Sequence, residues 1–196
     1  MQQVSWVVAG VLAMGLGSAA SAQAGQAAQD SPWALVPEDS QRISCDNIAD
    51  ALSAGGGGPL ARLDDDPEGQ DAQGAWQCVW DSPTGVYFYA EFDVDLVAPE
   101  RQLAAGLRDF RDEVEADCAR VRWTHAVEPA TGFRLAARGR AQCLGGDEPL
   151  DSQHVMMWLV EDEFGQRLLN LQHSRYPGDE PAEAAIGTLI RFMEGR

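Results

Sequence analysis

The chain has 196 residues, 45% of them hydrophobic and 8% aromatic, and 14 basic against 31 acidic side chains give a formal charge of −17. That composition excludes a collagenous, coiled-coil or wholly disordered chain. Every basic side chain is an arginine, and so acidic a balance repels phosphate backbones and anionic lipid, so neither nucleic acid nor a membrane surface is expected as a partner.

The chain opens on an uncharged stretch, Met1 to Ser5, followed by an apolar run from Trp6 to Gly17 and the small residues Ser18-Ala19-Ala20-Ser21-Ala22. A signal peptidase accepts such a site, so residues 1–22 read as a secretory signal cleaved after Ala22. The run is shorter than the roughly 20 apolar residues a spanning helix needs, and no Cys follows it for lipid attachment. No stable membrane anchor is therefore expected after cleavage, and the expected location is periplasmic or secreted. Residues 23–42 carry no periodicity and read as a flexible lead-in to a single domain over 43–196.

The first expected element is a short helix from Cys45 to Ala54, capped by Ser44, with Ile48 and Leu52 on one face. Gly55-Gly56-Gly57-Gly58-Pro59 ends it; the glycines lack the Lys-Ser/Thr of a phosphate loop and read as a connector. A strand over Ala75–Trp80 places Trp76, Cys78 and Trp80 on one face, and Ser82-Pro83-Thr84-Gly85 turns the chain back. The strand Val86–Leu96 alternates throughout. Its expected core face carries Val86, Phe88, Ala90, Phe92, Val94 and Leu96, and its solvent face Tyr87, Tyr89, Glu91, Asp93 and Asp95.

Pro99 suits the first turn of a helix to Asp117, with Leu103, Leu107, Phe110 and Val114 in one stripe. Strands over Val121–His125 and Gly132–Leu144 follow, the second with Phe133, Leu135 and Ala137 inward and Arg134 and Arg138 outward. His154–Glu161 and Arg167–Ser174 form a hairpin, and Pro181 opens a terminal helix that buries Ile186, Leu189, Ile190 and Met193. Helices segregated from runs of antiparallel strands define the α+β class.

The four cysteines, Cys45, Cys78, Cys118 and Cys143, are an even number in an exported chain, which implies two disulfides. A structural zinc site calls for closely paired cysteines, whereas the nearest two here are 25 positions apart. Of three connectivities, Cys45–Cys78 with Cys118–Cys143 closes two sequential loops and is preferred. Each half then offers a helix, a Cys near one end of it and a second Cys on a later strand, a pattern that fits a loose internal duplication or coincidence alike.

Ser44-Cys45 opening a helix, with Gln77-Cys78-Val79-Trp80 on a strand, resembles the Cys-helix and Cys-x-Trp pattern of small secreted bacterial α+β domains of unknown function. The closing hairpin and helix, through Ile190-Arg191-Phe192, is similar in element order to the PsbP/Mog1-like fold. The two similarities cover about half of the mature chain. They imply a binding or accessory role and carry no catalytic residues with them.

Three clusters are candidates for chemistry. Asp64, Asp66, Glu68 and Gly69 fall at positions 1, 3, 5 and 6 of a calcium-loop template, but Ala75 stands at position 12, so a true EF-hand is excluded and a weaker Ca²⁺ loop remains against a solvated acidic turn. In the closing hairpin, a turn centred on Glu163-Phe164 sets His154 opposite His173 and Met156 opposite Leu171. His154, Met156 and His173 then share a face, a set that suits copper or zinc, although Trp158, Val160 and Leu169 on that face make Met156 more simply a core residue and the histidines a pair at the rim of the core. On the Val86–Leu96 strand, Tyr87 and Tyr89 beside Glu91, Asp93 and Asp95 suit a protein partner, and Arg134 and Arg138 are expected to balance those acids across the outer sheet face. There is no G-x-S-x-G, no H-E-x-x-H and, with both disulfides formed, no free thiol. The expected function is a non-enzymatic, inhibitor- or immunity-like accessory protein binding a protein through the acidic/tyrosine face. The alternatives are a metal-binding protein and an enzyme of a type the motifs do not reveal.

Overall fold

A computed structural model describes residues 43–63, 76–145, 148–163 and 165–195. Ser44 caps the first helix, α1 (Cys45–Leu52), accepting the Asn47 N–H at 3.2 Å, and Cys45, Ile48, Ala51 and Leu52 are buried along it. The helix ends two residues short of expectation. At Ser53–Gly57 it widens into a π-helical turn, in which Gly56 takes a φ of 89° that no right-handed helix continues through.

Seven strands follow: β1 (Ala61–Arg62), β2 (Trp76–Ser82), β3 (Gly85–Val94), β4 (Val121–Ala130), β5 (Phe133–Gly145), β6 (Glu148–Asp162) and β7 (Gly165–Arg175). Helix α2 (Pro99–Asp117) separates β3 from β4, and α3 (Glu183–Met193) closes the described chain. The sheet is antiparallel throughout, in the order β1-β2-β3-β7-β6-β5-β4, so this is an α+β fold. Strands β4 to β7 form a meander, and β7 docks its free side on β3.

Both faces of the sheet are covered. One carries α1 and α3, whose Ile48, Leu52, Ile186, Leu189 and Met193 pack on Trp80, Tyr87, Tyr89, Met156, Trp158 and Leu171. The other carries α2, whose Leu103, Leu107, Phe110 and Val114 pack on Leu135, Ala137, Val155, Met157, Leu159 and Leu168. Because α2 lies mainly over β4, β5 and β6, Val86, Phe88 and Phe92 of β3 are left half-buried.

This arrangement corrects the expected faces of β3. Tyr87, Tyr89 and Glu91 point into the α1/α3 core, with 0%, 0% and 2% of their surface exposed, and only Asp93 and Asp95 reach solvent. Alternation separates two faces but does not say which one a helix will cover, and tyrosine is compatible with burial when its hydroxyl finds a partner. Both do. Tyr87 Oη lies 2.7 Å from Thr84 Oγ1, and Tyr89 Oη donates to Glu91 Oε1 at 2.9 Å, an oxygen that also accepts the Ile43 N–H.

Two disulfides pin the layers. Cys45–Cys78 ties α1 to β2, and Cys118–Cys143 ties the end of α2 to β5, the pairing preferred from the sequence. Gly139 of β5 lets α2 and β4 approach: a Cβ there would stand 2.4 Å from Trp123 Cη2 and 2.9 Å from Val155 Cγ1. Gly139→Ala is therefore expected to lower unfolding free energy by about 1–3 kcal/mol, read from urea denaturation. Replacing Cys45 and Cys78 together by Ala should cost about 3–4 kcal/mol in the same assay, since that bridge closes a 33-residue separation.

Candidate functional site

Two places bring chemistry-bearing groups together: the free edge of the sheet at β4, and a buried histidine pair between β6 and β7. The edge is the larger. One side of β4 is bonded to β5, and the other meets no described strand. The phase of the ladder follows from one bond, Leu144 N–H to Arg120 O at 2.9 Å. Hydrogen-bonded pairs alternate along an antiparallel ladder, so the even-numbered residues of β4 face β5. Val121, Trp123, His125 and Val127 therefore turn their N–H and C=O groups outward.

Arg122, Thr124, His125, Ala126 and Glu128 are exposed along this strand, while Val121, Trp123 and Val127 are half-buried beneath α2. The Trp123 ring lies 6.1 Å from Phe110 of α2 and stacks at 5.7 Å on His125. Pro129 and a register irregularity between Glu128 and Ala130 close one end of the edge, the usual guards against unwanted pairing. Val121–Val127 has neither.

The local charge opposes that of the whole chain. Residues 118–145 hold five arginines, Arg120, Arg122, Arg134, Arg138 and Arg140, against the single acid Glu128. Three of them are paired, though not with the β3 acids the sequence suggested. Arg134 meets Glu161, Arg138 meets Glu128 and the buried Glu194, and Arg140 meets Glu183. Glu161 and Glu128 stand on β6 and β4, the strands on either side of β5, while Glu183 and Glu194 stand at the start and just past the end of α3, so these acids are nearer to the β5 arginines than those of β3. Arg120 and Arg122 are exposed and make no ion pair among the described residues.

In the hairpin the cross-strand register is the one read from the sequence, His154 opposite His173 and Met156 opposite Leu171. The two Nδ1 atoms are 3.2 Å apart, and His173 Nε2 lies 2.7 Å from the Thr84 carbonyl oxygen. A carbonyl only accepts, so His173 Nε2 carries the proton, its Nδ1 accepts, and His154 donates through Nδ1. Gly85, at φ 117°, permits this approach, because a Cβ there would stand 2.9 Å from His173 Nε2 and 2.2 Å from the Ser174 carbonyl oxygen. Tyr87 packs on His173 at 4.6 Å between ring centroids.

Burial disfavours the charged form of both imidazoles. It takes His154 down to about 3, with the His173 and Arg140 charges adding to the effect, and it lowers His173 against the opposing pull of the Thr84 carbonyl bond. Among the described residues no third His, Cys, Asp or Glu ligand atom joins the pair. The one such trio, Cys118, Cys143 and Asp151, spends both its sulfurs on a disulfide.

Of the residues singled out from the sequence, His154, Met156 and His173 do converge on one face, all buried. Asp64, Asp66 and Glu68 lie outside the described residues. Tyr87, Tyr89 and Glu91 belong to the core, and their separation from Asp93 and Asp95 dissolves the expected binding face. The β4 edge was missed as a site. Its one signal was Pro129 in a strand-like run, since proline within a sheet is confined to edges and bulges. No family model matches the chain, and neither the curated proteins nor the solved structures offer a match.

Between pH 6.5 and about 3 the unfolded chain protonates histidines that the fold keeps neutral, so stability falls as pH falls through that window. The His154 share has a slope of up to about 1.4 kcal/mol per pH unit. Urea midpoints measured from pH 7 to pH 4 should fall less steeply in His154→Leu than in the parent; parallel curves would contradict the assignment.

Proposed function

We propose that this chain is an exported, non-enzymatic accessory protein that engages a protein partner by accepting an added strand along the free edge of β4. The observation that carries this reading is the outward main chain of Val121–Val127, with exposed side chains along it and with Arg120 and Arg122 making no ion pair among the described residues. Strand addition draws its affinity from main-chain hydrogen bonds and its selectivity from alternate side chains, and β4 offers both. Export agrees with two disulfides and no free cysteine, which an oxidising compartment maintains, and with the signal read over residues 1–22. No helix among the described residues is long and apolar enough to cross a membrane. An inhibitor- or immunity-like role fits this mode of engagement, as does the accessory role implied by the PsbP/Mog1-like element order.

His125→Pro tests the edge. The residue is exposed and its N–H already faces away from β5, so proline removes an outward donor and leaves the β4–β5 ladder intact. Capture of a specific protein from periplasmic or secreted extract should be lost in this variant with the melting temperature nearly unchanged. Equal capture by both forms would overturn the reading.

One observation favours metal binding as a second reading. Two imidazole nitrogens each about 2.0–2.1 Å from one ion sit about as far apart as the 3.2 Å between the two Nδ1 atoms, and a carbonyl holds the other nitrogen of His173, as is common for ligand histidines. Met156 would add a soft donor suited to copper. Melting with EDTA, then with copper, zinc or Ca²⁺, separates the cases. A saturable rise with copper or zinc that His173→Ala abolishes supports the hairpin site, a rise with Ca²⁺ alone points to Asp64, Asp66 and Glu68, and no rise makes the histidines core residues.

A further inference from the structure

We propose that the strand added to β4 is the β4 of a second copy of this chain, running antiparallel about a two-fold axis at His125. The inference rests on the strand-addition reading above and names its occupant. The reason is self-complementarity, which an isologous interface requires. With His125 opposite His125, Trp123 of each copy faces Val127 of the other, Thr124 faces Ala126, and Arg122 faces Glu128.

The phase of the ladder agrees with this register. Trp123, His125 and Val127 are the residues whose N–H and C=O groups turn away from β5, so the Trp123/Val127 and His125/His125 pairs each exchange two main-chain hydrogen bonds across the seam. Arg122/Glu128 and Thr124/Ala126 then occupy the non-hydrogen-bonded positions, where opposing side chains approach most closely. Both Arg122 and Glu128 are exposed, and Glu128 is already steadied by Arg138 Nη1 at 2.9 Å. An arginine of the neighbouring copy would complete a chain of alternating charge along the seam.

No nearby register does as well. Shifting the partner by one pair sets Arg122 opposite Ala130 and Glu128 opposite Thr124 in one direction, and in the other sets Arg122 opposite Ala126 and Glu128 opposite Arg120, which lies outside the strand. It also replaces the two Trp123/Val127 contacts by a pairing of His125 with Trp123 or with Val127. The strand's own charge permits the association, for Val121–Ala130 holds one Arg and one Glu, so the two edges do not repel each other although each chain carries −17. Pro129 and the irregularity at Glu128/Ala130 limit the pairing to Arg122–Glu128 and so specify where it stops.

Sedimentation of the oxidised protein over a concentration series reaching the millimolar range tests this. A reversible dimer is expected, with Arg122→Glu and Glu128→Arg each weakening it by about tenfold or more and the double charge swap returning to within about threefold of the parent. His125→Pro should be monomeric. Because the double swap rescues, a fault in folding of either single variant is distinguishable from a lost contact. A monomer at every concentration, a dimer indifferent to His125→Pro, or a double swap no tighter than the single variants would each overturn the proposal. If the protein is monomeric yet His125→Pro still loses a captured protein, the second-copy inference falls and the strand-addition reading stands; if neither assay responds to His125→Pro, both fall.

Discussion

Val155 to Val160 of β6 are buried on alternate sides of the sheet, three residues against α1 and α3 and three against α2, and a strand so placed needs a helix on each face. With polar residues on either side, β6 would sit in a one-sided sheet of the kind that leaves a full face wet. Instead its apolar run makes the centre of the sheet a three-layer core. That requirement decides where the disulfides act, because Cys45–Cys78 fastens a helix to one face and Cys118–Cys143 fastens the helix of the other.

The polar groups of the α1/α3 face are accommodated by pairing rather than exclusion. Tyr87 leans on Thr84, Tyr89 on Glu91, His154 on His173 and Trp158 on Glu194, so groups that would be costly to bury alone keep partners inside the layer. Desolvation leaves its trace in their acidity. The Tyr89 phenol is held well above its ordinary value, with the Glu91 charge adding to the effect, and both imidazoles are driven toward their neutral forms. The His154–His173 pair is thus a stabilising contact at neutral pH that becomes a liability in acid, as expected of buried neutral histidines.

Besides its two helix-bearing faces, the sheet ends in β1 on one side and β4 on the other. The β1 strand is two residues long, whereas β4 presents ten, with one Arg and one Glu among them. Its outward main chain, the Trp123/His125 stack and the flanking Arg122 and Glu128 make recognition at this edge a matter of register as well as charge. A binding role located there differs from the one suggested by β3, because it depends on backbone groups that composition does not reveal.

How much was legible in the chain itself depends on the range of the interaction. Ser44 capping α1, the stripe of Leu103, Leu107, Phe110 and Val114 on α2, and the His154/His173 register all follow from neighbours within one helix or one hairpin, where spacing and turn geometry suffice. The class of fold followed from the order of these elements, whereas the disulfide pairing was preferred because it closes two sequential loops and was not deduced. The inward face of β3, the partners of Arg134 and Arg138, and the edge position of β4 were not. Each depends on which helix covers which part of the sheet and on β7 pairing with β3 rather than leaving β3 at an edge. Alternation marks two faces without ranking them, and a charge pattern records signs without distances. By itself, then, the sequence determined the local elements, their order and the cysteines available to staple them; the tertiary structure alone decided which face became core and which strand kept a free edge, because those choices arise from packing between segments far apart along the chain.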